Sequence, residues 1–158
     1  SDYIFELLEV FENYPWDTKS IWDFIVTSII MLTHIDACVL RLYNQEDDKL
    51  KMISNFWFSD NWEWKKIIKY KWSLAEKAFN NKFPLKIFDL TKEPKYHSLA
   101  LARNNNISSL LLIPLSFKWK IIWSISLYTK ADKKLEIFEN RFIEQYAKII
   151  QLVLWSSI

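Results

Sequence analysis

A chain of 158 residues, 51% hydrophobic and 25% charged, is one globular domain that can bury a full core without disulfides or a metal. Its net charge of +2 gives no electrostatic reason to expect nucleic acid or an anionic membrane as partner. The lone Cys38 excludes an internal disulfide and points to a reducing, cytoplasmic setting, while the longest apolar run, Leu110–Leu115, is far short of a membrane span.

The segment Asp2–Asn13 carries Ile4, Leu7, Leu8 and Phe11 at helical spacing. Tyr14-Pro15-Trp16 breaks that stripe, and Asp17 or Thr18 caps a second helix running to about His34, with Ile21, Phe24, Ile25, Ile29 and Leu32 on one face. Ala37–Tyr43 and Lys49–Phe56 read as strands joined by the polar tip Asn44–Asp48, a hairpin. A short strand is expected near Ile67–Tyr70. Ser73 then caps a helix over Leu74–Asn81, with Glu76 completing a capping box.

Pro84–Leu90 reads as a further strand, and Thr91–Asn106 as a short helix flanked by irregular chain. Ser109–Phe117 and Ile121–Tyr128 form a Leu/Ile-rich hairpin across the basic turn Lys118-Trp119-Lys120. A helix over about Glu136–Trp155 closes the chain, with Phe138, Phe142, Tyr146, Ile149, Ile150 and Val153 at three-to-four spacing. This order predicts an α+β domain with a central, mostly antiparallel sheet covered by helices. Leu110–Leu115 and Ile122–Leu127 are expected in the middle of that sheet.

Turn chemistry conflicts with this order. At about 7% usage a chain of this length carries roughly 11 glycines, yet it has none, and it has nine tryptophans. The tryptophans stand where glycine is expected: Trp16 between Pro15 and Asp17, Trp57, Trp62 and Trp64 in a polar connection, Trp72 before a helix, and Trp119 in a hairpin turn. A fold with several loops and no glycine must hold other residues in left-handed backbone. The sequence reading is that these tryptophans stand for glycine, as when UGA is decoded as tryptophan in a gene whose own code uses it for glycine. Trp119 is then expected at or beside a positive-φ position. Trp16, Trp57, Trp62 and Trp64 are expected in exposed loops, and Trp123 is expected to overpack a central strand.

With glycine at those positions the chain resembles the GAF domain family over nearly its whole length. The resemblance rests on YKWSLAEKAFNNKFPLKIFDLTKEP, on NNNISSLLLIPL, on KWKIIWSISLYTK and on IFENRFIEQYAKIIQLVL, in that order and spacing. It implies a GAF-like central antiparallel sheet, with N- and C-terminal helices on one face and a helix-loop pocket segment, Asp89–Asn106, on the other. It also implies a sensory or regulatory module of a bacterial signalling protein, and the start at Ser1 fits a domain excised from such a protein.

The pocket implied by the resemblance is bounded by Asp89, Tyr96, His97, Leu101, Ile113, Ser124 and Ser126. His97 donates, accepts or titrates near neutrality. Ser124 and Ser126 share one face of their strand, opposite Trp123, Ile125 and Leu127. The cyclic-nucleotide motif of the family is matched only at Lys130 and Phe138. Its other positions are Thr129, Phe142 and Ile143, which argues against that ligand. No bilin-attachment cysteine lies in the pocket segment. Cys38 sits in an apolar strand as a buried thiol, and His34 ends a helix as a partner of its dipole. No His, Cys or carboxylate pair has metal-ligand spacing, and no cofactor is named by any motif.

The expected function is therefore non-catalytic sensing of an unidentified small molecule. The terminal helices would form a homodimer and couple the pocket to an output domain, with no nucleic acid and no membrane involved. The rival readings are a structural dimerisation domain without ligand, and a GAF-fold free methionine sulfoxide reductase. The latter class uses an attacking and a resolving thiol, and this chain has one cysteine.

Overall fold

In the computed structural model, which describes residues 2–13, 16–57, 65–117, 120–130 and 141–156, helix ends fall where the sequence supplies caps. Helix α1 (Asp2–Asn13) is followed by α2 (Thr18–Thr33). Asp17 is the N-cap of α2, its carboxylate accepting from the Ser20 backbone N–H at 3.1 Å and the Ser20 hydroxyl at 2.7 Å. The helix ends at His34, which takes left-handed backbone (φ 54°) and donates its N–H to the Ile30 carbonyl.

Strands β1 (Ala37–Asn44) and β2 (Lys49–Trp57) form the first hairpin. Its tip is held by the Asn44 and Asp47 side chains, which accept from the N–H groups of Glu46 and Lys49. Next come β3 (Ile67–Lys69), α3 (Leu74–Asn81), β4 (Leu85–Ile87), a 3-10 turn (Leu90–Lys92) and α4 (Leu99–Asn104). The second hairpin, β5 (Ile107–Phe117) and β6 (Lys120–Lys130), precedes α5 (Arg141–Ser156). Phe117 pairs with Lys120, so the connection is Lys118-Trp119, which lies outside the described residues.

The six strands make one sheet in the order β3-β2-β1-β6-β5-β4, and every neighbouring pair is antiparallel. β6 is central. β5 is one place from the edge, covered by β4 only at Leu110–Leu112.

Period-two alternation sends each strand's residues to two separate cores. Cys38, Leu40, Leu111, Ile113, Leu115, Trp123, Ile125 and Leu127 pack with Leu7 of α1, Ile21, Ile25 and Ile29 of α2, and Ile143, Tyr146 and Ile150 of α5. Ala37, Val39, Leu110, Leu112 and Tyr128 face the other way. There they pack with Leu74 and Phe79 of α3, Leu90 of the 3-10 turn, Tyr96 of the following loop, and Ala102 of α4. Each such Leu, Ile or Phe contributes about 1.5–3 kcal/mol by burial. Terminal helices thus cover one face and the helix-loop segment covers the other.

Three local expectations are corrected. The strand expected over Pro84–Leu90 is paired only at Leu85–Ile87. Asp89 then turns the chain, its carboxylate accepting from the Thr91 N–H and hydroxyl and so starting the 3-10 turn. Trp57, expected in a loop, ends β2 opposite Ala37. The capping box of α3 is half formed. Ser73 Oγ accepts from the Glu76 N–H at 3.2 Å, but the Glu76 carboxylate accepts from Trp72 N–H, because the Ser73 N–H already donates to the Tyr70 carbonyl. The closing helix is described from Arg141 onward, and residues 131–140 of the expected Glu136–Trp155 span lie outside the described residues. So do Trp62, Trp64 and Trp119.

Candidate functional site

The face of the sheet away from the terminal helices holds a cavity of about 20 Å³, walled by β1, β5 and β6 below and by the start of α3 and the Lys95–His97 segment above. Such a volume is about enough for one ordered water. Its polar lining is Arg41, Ser73, Lys95, Tyr96, His97, Ser124, Ser126 and Tyr128, and its apolar lining includes Leu50, Ile68, Leu74, Leu110 and Leu112.

Of the residues expected at the site, Tyr96, His97, Ser124 and Ser126 stand together on this cavity. Asp89 does not. Its carboxylate is committed to Thr91 and to Lys92, 3.8 Å away, so it acts as a turn-starting residue. Leu101 packs against the same core but does not reach the cavity. Ile113 faces the terminal helices, packed with Ile125 and Ile150. Strand parity is the reason: the cavity takes Leu110 and Leu112, so the odd-numbered neighbour points to the opposite layer.

Tyr96 and Tyr128 are both buried, and Tyr96 donates to the Tyr128 hydroxyl at 3.3 Å. Burial pushes both phenols up, so neither ionises near neutrality. His97 packs its ring on Tyr96 with centroids 4.5 Å apart, and its Nδ1 lies 2.7 Å from Ser98 Oγ. Burial first, then the nearby Arg41 and Lys65 charges, hold His97 down to about 3, so the imidazole is neutral at physiological pH.

Arg41 is the residue that the sequence reading passed over. It is 2% exposed, in mid-strand, on the cavity side of β1. Its Nη1 donates to the Lys65 carbonyl at 2.7 Å, while Nη2 is buried with no hydrogen-bond partner among the described residues. Burial pushes its pKa down, opposed by Tyr128 and Tyr96. A guanidinium nevertheless stays protonated in proteins. The available signal was a single cation in the apolar strand ACVLRLY, at a parity shared with Val39. Among the described residues no group of His, Cys, Asp and Glu could hold a metal ion, and no helix is long and apolar enough to cross a membrane.

No protein-family profile and no curated protein matches the sequence. Solved structures do. The chain is similar to the free methionine-R-sulfoxide reductase from Neisseria meningitidis in complex with its substrate, with a TM-score of 0.78 at 12% identity over 98% of this chain and 87% of that one. It is similar to the GAF domain of a phosphoenolpyruvate-protein phosphotransferase from Coxiella burnetii, with a TM-score of 0.77 at 14% identity over 97% and 90% of the two chains. The phycoerythrobilin-bound GAF domain of a cyanobacterial phytochrome gives 0.74 at 7% identity over 99% and 94%. At these identities the likeness is one of fold, and the chain has the fold of GAF domains.

Proposed function

We propose that this chain is a non-catalytic sensory module of a bacterial cytoplasmic signalling protein. It binds a small molecule in the Arg41–His97 cavity and passes the change to an output domain through α1 and α5. The observation that carries this reading is the cavity itself, where buried polar groups from β1, β6 and the Lys95–His97 segment converge amid apolar walls, the usual make-up of a ligand site. The terminal helices add to it. Phe5 and Leu8 of α1 and Leu152 and Trp155 of α5 are exposed apolar residues, as fits a homodimer formed by these helices.

The reductase reading is opposed by Cys38. It is fully buried on the helix-covered face, and burial pushes its thiol well up, whereas redox chemistry needs an accessible thiolate. One observation favours a structural dimerisation module, namely the small size of the cavity. Thermal shift with nucleotides and small metabolites decides between them. We expect a compound that raises the melting temperature, with the rise lost in His97→Ala and in Ser126→Leu. Equal stabilisation of both variants, or no stabilising compound, overturns the sensing reading.

The glycine reading of the tryptophans belongs to the same proposal. Five described non-glycine residues have left-handed backbone: His34, Asp48, Trp72, Lys82 and Asn106. Trp72, at φ 70° and 69% exposed, supports it. So does Trp16, 75% exposed in a turn. Trp123 points both ways, being 2% exposed in the core as a native tryptophan is, yet with an indole N–H lacking a partner among the described residues. Trp22, half-buried on α2, packs against the core, also with an unpartnered indole N–H.

A further inference from the structure

We infer that the cavity recognises a small monocarboxylate with a short aliphatic body and no ammonium group, its carboxylate held by Arg41. This deepens the sensing reading and rests on it. A guanidinium edge buried without a partner is costly unless something supplies the negative charge; Arg41, whose Nη2 is such an edge among the described residues, lines the cavity. Among the described residues the lining contains the cations Arg41 and Lys95 and no carboxylate. An anion is therefore matched, and among the described residues the ammonium of an amino acid has no acidic partner there.

Several other features agree. Ser73, Leu74 and Ala75, the cap and first turn of α3, line the same cavity, and a helix start carries partial positive charge. Ser124, Ser126 and Tyr128 add hydroxyls that can donate to a second carboxylate oxygen. With Nη1 already donating to the Lys65 carbonyl and Lys95 exposed, the buried donors on the cavity are one guanidinium nitrogen and neutral hydroxyls, a set suited to a monoanion rather than to a phosphate dianion. Leu50, Ile68, Leu110 and Leu112 supply the apolar wall for a short tail. The free volume of about 20 Å³ takes about one water, so a carboxylate and its tail require the Lys95–His97 wall to shift outward.

Thermal melts test this with sodium acetate and sodium butyrate, against sodium chloride at equal ionic strength, butyramide, and sodium phosphate. We expect saturable rises with acetate and butyrate, about 5–10 °C at a hundredfold excess over Kd, and none with butyramide or phosphate beyond the chloride control. Arg41→Met, close in volume but uncharged, abolishes the response and leaves the ligand-free melting temperature equal or higher. Arg41→Lys weakens the response without restoring it. The assignment is overturned if butyramide stabilises equally, if phosphate stabilises more, or if Arg41→Met keeps the response. It is also overturned if Arg41→Met lowers the ligand-free melting temperature, since Arg41 would then serve the fold rather than a ligand. If acetate and butyrate fail while another compound acts through His97 and Ser126, the carboxylate assignment falls and the sensing reading stands. Silence from every compound rejects both.

Discussion

Trp72 is the residue at which side chain and backbone conflict most openly. Its φ of 70° lies in the region where an L-residue with a Cβ is disfavoured by roughly 1–2 kcal/mol, and its ring, 69% exposed, recovers little by burial. The Lys71 ammonium, 5.9 Å from the ring centroid, offsets only a fraction of this at an exposed site. Trp72→Gly should therefore raise stability by about 1 kcal/mol, less what glycine gives up in the freer unfolded chain. Trp16→Gly, at a position without positive φ, should give no gain. Urea denaturation of the two variants beside the parent checks both, and equal effects would remove the backbone explanation. His97 sets a second expectation. Its folded pKa lies at about 3, below the ordinary 6.5, so between those values the unfolded chain binds a proton that the folded one refuses. Stability from this group is complete above pH 6.5 and is lost as pH falls toward 3. Parent and His97→Gln should diverge on acidification by up to about 1.4 kcal/mol per pH unit, and parallel stability profiles would refute it.

Elements here are set by their ends as much as by their faces. The α3 helix is short, and its N-terminus depends on Ser73, whose hydroxyl accepts from the Glu76 N–H and donates to the Tyr70 carbonyl at 2.5 Å. Ser73→Ala should cost about 1 kcal/mol in denaturant unfolding, and Ser73→Gly only a few tenths. Equal losses would mean that the cap does not fix the helix. This end was legible because Ser73 and Glu76 are local, three residues apart. The extent of β4 was not legible. The apolar residues of Pro84–Leu90 satisfy a strand pattern, but the Asp89 carboxylate offers Thr91 an alternative partner and diverts the backbone after Ile87.

The sheet separates two layers of the whole molecule, with the terminal helices over one face and the cavity over the other. Phe5, 74% exposed, and Leu152, 59% exposed, mark the outer surfaces of α1 and α5. Phe5→Glu with Leu152→Glu should turn a dimeric parent into a monomer in light scattering, leaving the cavity chemistry intact. A parent that is monomeric at high micromolar concentration would end the dimer proposal. By itself the sequence determined the helices, the two hairpins and their order, and through them the α+β sheet, since three-to-four and two-residue periodicities and caps are written within a few residues of each other. The family resemblance named Tyr96, His97, Ser124 and Ser126 among its site residues, and these four line one cavity. Only the tertiary structure decided which strand face each residue takes. One position of parity sends Ile113 to the helices and Leu112 to the cavity, and the register irregularity between Leu40 and Arg41 lies beside the buried guanidinium. Arg41 reads in the sequence as one polar residue in a strand. It becomes a buried, half-satisfied cation only when Lys65, Tyr96 and Ser126, distant in the chain, close around it, because burial belongs to the assembled fold and not to the segment.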